Sequence, residues 1–195
     1  MVIVDAVLET YDAVDFTAWP IAEPPGDHLL TLSGRMSPAE VALAMAVVVS
    51  YNGLPTYLTP AALDQHLADA GALTAPGGLR FHDTVTGVVV SPGCCFGLEE
   101  WRSWWDATRG QEIWLGHDPT PQITHTGDVI HLRQDDEATP VELTRGELSS
   151  LLTTAQAHLA GFLDLAGDWA EATLPEVAQP LVSALDEHLG ISSAA

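Results

Sequence analysis

Residues 41–49, Val-Ala-Leu-Ala-Met-Ala-Val-Val-Val, carry no polar or charged side chain and follow directly on Ser37-Pro38-Ala39-Glu40. Those four residues combine an N-cap serine, a proline at the first helical position and a glutamate placed to close a capping box, which predicts a helix from 38 to about 50. A helix with no charge over that length has no solvent face, so the rest of the chain must bury it on most sides. With 195 residues, 47% of them apolar, the chain is long enough to do this in one core without disulfide or metal support. One domain spanning 1–195 is expected.

The remaining elements follow from periodicity and punctuation. The first segment is ambiguous: residues 2–4 suit the start of a strand, whereas Asp5, Glu9 and Asp12 stand at helical spacing opposite Val4, Leu8 and Tyr11. After the proline-rich loop at Pro20, Pro24 and Pro25, residues 28–32 read as a short strand. Thr59-Pro60 opens a second helix with Leu63 and Leu67 on its apolar face and Gly71 as its stop. Strands are predicted at 79–82, 85–91, 113–115, 122–125 and 129–133, the last two as a hairpin, with a helix from Leu98 carrying Trp101, Trp104 and Trp105. Thr144-Arg145-Gly146-Glu147 is a second capping box, opening a long helix that Gly161 or Gly167 can bend, and a last helix runs from about 174 to a stop at Gly190. The class is α+β, a central mainly antiparallel sheet flanked by helices, with residues 1–140 as its core and the helices of 141–195 packed on it.

Charge limits the function. Twenty-seven acidic residues face six arginines and no lysine, a formal net charge of −21. Without lysine there is no Schiff base and no Walker-type phosphate loop. The negative charge opposes nucleic acid phosphates and anionic membranes and favours a basic protein partner. The longest apolar run falls well short of the ~20 residues that span a bilayer, so no membrane partner is expected. No basic stretch precedes Arg35, which predicts no signal peptide and a cytoplasmic location, and the adjacent Cys94 and Cys95 then read as reduced thiols.

Three constellations can carry chemistry or contact. In Val88-Val89-Val90-Ser91-Pro92-Gly93-Cys94-Cys95-Phe96-Gly97 an apolar strand runs into Gly-x-Cys-x-Gly, the form of a nucleophile elbow, with His117 as a base and Asp118 as its carboxylate for a thiol hydrolase or transferase. The competing expectation is that both cysteines are buried packing groups at a strand-to-helix corner. Cys94, Cys95, His117, His125 and His131 have zinc-ligand chemistry without the usual spacings, and no metal or cofactor is expected.

The second constellation is the tryptophan run. Trp101, Trp104 and Trp105 suit a helix docking on a sheet, but three in five residues exceed packing needs and predict an aromatic anchor for a partner. The third is the acidic row Asp164, Asp168 and Glu171. These six residues are the expected contact set of a non-enzymatic acidic binding protein; a scaffold domain without any small-molecule site is a further alternative.

Gly77-Gly78-Leu79-Arg80-Phe81, Pro92-Gly93-Cys94-Cys95-Phe96-Gly97-Leu98-Glu99-Glu100-Trp101 and Trp114-Leu115-Gly116-His117-Asp118-Pro119 together cover under a third of the chain. In these segments it resembles uncharacterised actinobacterial proteins and, more loosely, the Smi1/Knr4-like (SUKH) superfamily. The resemblance implies an α+β fold and an immunity protein that neutralises a toxin domain, often a basic nuclease. It assigns no site residue.

Overall fold

The computed structural model describes residues 1–55, 57, 59–70 and 73–193. Its first element is a strand, β1 (Val2–Glu9), and not a helix. Val4, Ala6 and Leu8 alternate inward, and both edges of β1 find antiparallel partners: β2 (Leu29–Leu32) and β3 (Gly77–Asp83). A two-residue strand, β4 (Val89–Val90), completes a sheet of order β2-β1-β3-β4. Asp5 lies opposite Arg80 in this register and pairs with it at 3.4 Å, while the same guanidinium reaches Asp27 at 3.1 Å. The expected acidic stripe of Asp5, Glu9 and Asp12 on a helix therefore does not form.

A second antiparallel sheet holds β5 (Gln122–Thr126), β6 (Val129–Arg133) and β7 (Val141–Thr144) in that order. Two sheets thus replace the single central one, and the last strand lies just beyond residue 140. Ile130 and Leu132 of β6 are buried as the alternation requires. Residues 84–88 turn between β3 and β4, and 113–115 joins neither sheet.

Both capping boxes form as read. The Ser37 side chain accepts from the Glu40 N–H at 3.3 Å while Glu40 Oε2 accepts from the Ser37 N–H at 2.7 Å, opening α1 (Pro38–Tyr51). All nine residues of 41–49 are buried. Thr59 caps α2 (Pro60–Ala70) through the Ala62 N–H at 3.2 Å; the expected stop at Gly71 lies outside the described residues. The tryptophan segment is a 3-10 helix, Leu98–Ser103, running into the short α3 (Trp104–Thr108).

Thr144 and Glu147 cap α4 (Arg145–Thr173), whose inner face of Leu148, Leu152, Ala155, Leu159 and Phe162 belongs to the same core as β1 and α1. Neither Gly161 nor Gly167 interrupts it. Gly161 is instead a contact point, since a Cβ there would lie 2.8 Å from the Cα of Gly34 in the loop after β2. Residues 174–177 turn the chain back through a Val177 N–H to Leu174 carbonyl bond of 3.0 Å, so α5 (Ala178–Leu189) begins later than its periodicity suggests. Gly190, at φ 59°, ends it. Among the described residues no helix is long and apolar enough to cross a membrane.

Candidate functional site

The tryptophan segment packs inward. Trp101 is 0% and Trp104 3% exposed; the first donates its Nε1–H to the Leu189 carbonyl at 2.8 Å, and the second lies 4.6 Å from the Phe81 ring. Trp105 is half-buried against the same core. Of the three rings expected as an aromatic anchor, Trp101 and Trp104 are thus turned into the space between β3 and α5, and Trp105 alone keeps a part-exposed face. The exposed tryptophan among the described residues is Trp114, 58% exposed, in the segment that forms no strand.

A different pair of tryptophans borders solvent. Between the first turn of α1 and the C-terminal half of α4 lies an apolar groove of about 590 Å³ lined by Trp19, Met36, Pro38, Leu165 and Trp169, with Asp168 on its wall. Trp19 is held by its Nε1–H on the Ala42 carbonyl at 2.9 Å, and the Trp169 ring meets it edge-on at 5.0 Å. Asp164 and Glu171 lie one turn either side of Asp168 on α4, and all three carboxylates are exposed without an ion-pair partner among the described residues. The acidic row is thus a surface feature, and its middle member, Asp168, edges an apolar groove. Sequence reasoning missed Trp19 and Trp169 because they are isolated in the chain; the only hint was that Trp169 neighbours Asp168.

The cysteine segment assembles more than its spacing suggests. Cys94 and Cys95 are both exposed, and Phe96 fills the corner that the buried-thiol expectation gave to them. Backbone bonds run both ways between Cys94 and His117, 2.6 Å to the His117 carbonyl and 3.1 Å from the His117 N–H. Only two glycines allow this approach. A Cβ on Gly93 would stand 2.5 Å from the Pro119 carbonyl oxygen, and one on Gly116, whose φ is +95°, 2.6 Å from Gly93. The Cys94 and Cys95 sulfurs are 3.4 Å apart, one His117 ring nitrogen lies within 4.8 Å of both, and His117 Nδ1 is 3.2 Å from Asp118 Oδ2. Cys95, His117 and Asp118 are therefore brought together.

His125 and His131 are not part of that group. His131 Nδ1 faces Glu142, its cross-strand neighbour, at 3.2 Å.

The surroundings do not favour a thiolate at Cys94, the neighbour of the elbow residue Cys95. The neighbouring Cys95 thiol, lost solvation and the Glu9 charge push the Cys94 thiol above its ordinary value. Burial and Asp12 raise Glu9 in turn, and both carboxylates line the cleft beside the two cysteines. A reactive thiol at position 94 would need the opposite shift. The strand entering the elbow is antiparallel and the segment leaving it is a 3-10 helix, so the parallel sheet and α-helix of hydrolase elbows are replaced by weaker supports.

Compared with protein-family models, curated proteins and solved structures, the chain gives no match, and the functional reading rests on its own residues.

Proposed function

We propose that the protein is a non-enzymatic acidic binding protein that seats a basic protein in the groove between α1 and α4. The observation that carries this reading is an apolar groove, walled by Trp19 and Trp169, with the unpaired carboxylate of Asp168 on its wall and those of Asp164 and Glu171 one turn either side of Asp168 on α4. An apolar anchor entering the groove places flanking arginines or lysines against that row. Charge steers the encounter, and the desolvated aromatic contact holds it. In its sharpest form the partner is a basic toxin domain and the role is immunity, a version supported by the net charge of −21 and by the SUKH resemblance.

Binding kinetics against an amphipathic helical peptide of arginine and leucine test this. Asp164→Asn, Asp168→Asn and Glu171→Gln together should slow association several-fold at low salt. Asp64→Asn, Glu112→Gln and Glu137→Gln, the same charge change at other exposed positions, should leave it nearly unaltered. Trp169→Ala should instead speed dissociation by roughly 30-fold, the effect of losing a hot spot worth about 2 kcal/mol. Equal slowing by both triple variants, with no effect of Trp169→Ala, would show that the acidic surface is only a solubilising coat.

A further inference from the structure

We propose that Cys94, Cys95 and His117 form a binding site for a thiophilic divalent cation of the zinc type. This site lies apart from the α1/α4 groove and does not depend on it. Two sulfurs and an imidazole nitrogen within 4.8 Å of one another are the donor set that zinc takes, and their exposure leaves a fourth position open to water. Two thiolates on a tetrahedral zinc with bonds of ~2.3 Å stand about 3.8 Å apart, so the observed 3.4 Å needs only a few tenths of an ångström of adjustment.

The backbone holds these donors in place. Cys94 and His117 are locked by the reciprocal bonds across the Gly93–Gly116 contact, and Cys95 sits at φ 64°, a left-handed conformation unfavourable for any residue with a Cβ. That conformation turns the Cys95 sulfur back beside Cys94. A non-glycine residue in this conformation is uncommon, and at Cys95 it accompanies the approach of the two sulfurs. Asp118 on His117 Nδ1 is the carboxylate support typical of a ligating imidazole. The electrostatics agree: Glu9 and Asp12 line the cleft that adjoins the two sulfurs, so a dication there would meet negative charge.

Cobalt(II) titration of the reduced, chelator-stripped full chain tests the site. One equivalent should produce thiolate-to-cobalt charge-transfer absorption and the visible bands of tetrahedral cobalt, both removed by zinc. Cys94→Ser or Cys95→Ser should abolish the charge-transfer band, and His117→Ala should weaken binding at least ten-fold. His131→Ala should bind as the parent does. Thiol labelling of the unaltered protein requires no variant, and one equivalent of zinc should protect both cysteines. The proposal is overturned if stoichiometric cobalt gives no charge-transfer band, if the band survives in both serine variants, or if zinc leaves labelling unchanged.

Discussion

Two glycines of one helix have opposite meanings at the residue scale. Gly161 and Gly167 both lie in α4, where alanine is favoured over glycine by about 1 kcal/mol when nothing else intervenes. A Cβ on Gly167 meets nothing within 4 Å, whereas one on Gly161 would stand 2.8 Å from the backbone of Gly34. Gly167→Ala should therefore raise stability by about 0.5–1 kcal/mol. Gly161→Ala should lower it by roughly 1–3 kcal/mol, because the loop after β2 must move off the helix. Urea unfolding of the two variants decides the matter, and a stabilised Gly161→Ala would show that the contact yields more easily than backbone usually does.

Among the elements, α1 and α4 begin on the same chemical device. In each the side-chain oxygen of the N-cap accepts from the third helical N–H, and the glutamate at that position accepts from the cap's own N–H. Hydrogen bonds from Ser37 and Thr144 hold the Glu40 and Glu147 carboxyls below their ordinary values. Stability gained this way is present above the unfolded carboxyl value and is lost as pH falls below about 4.5 and through the folded value. Ser37→Ala and Thr144→Ala should each cost about 1 kcal/mol at neutral pH. That difference from the parent should shrink as pH falls below about 4, a trend that thermal melts across the range can read. A penalty independent of pH would mean that the glutamates contribute nothing to the caps.

For the whole molecule, self-repulsion opposes the caps. At a net charge of −21 the folded state compresses like charges, and burial raises Glu9 and Glu99 above their ordinary values. A carboxyl raised by folding destabilises the native state at high pH, and that penalty fades as pH falls through the folded value. Asp83 works in the other direction. Held to about 2 by the Val85 N–H, the Thr86 hydroxyl and the chain's amino terminus, it resists acid until far lower pH. Stability at low salt should therefore rise from pH 7 to about pH 5 and decline below about pH 4 as the cap carboxyls protonate. Added salt should raise the melting temperature at pH 7 more than at pH 5. A melting temperature that climbs steadily from pH 4 to pH 8 would contradict this balance.

What the sequence determined by itself is what short-range chemistry decides. The α+β class, both capping boxes, the buried stretch 41–49 and the β5–β6 hairpin were legible because each depends on neighbours within a few residues or on a strict period. Longer-range matters were settled only in three dimensions. Asp5 and Glu9 fit a helix or a strand equally, and β2 and β3 decided for a strand by supplying partners on both edges. Trp101, Trp104 and Trp105 read alike as interface or core, and their fate hung on whether β3 and α5 closed over them. Trp19 and Trp169 meet only because α4 runs unbroken past the start of α1. Cys94 and Cys95 reach His117 because Gly93 and Gly116 let two backbones approach more closely than side chains permit. A spacing rule cannot report such a contact, because the distance along the chain is set by the intervening helix and loop and not by the ligand geometry.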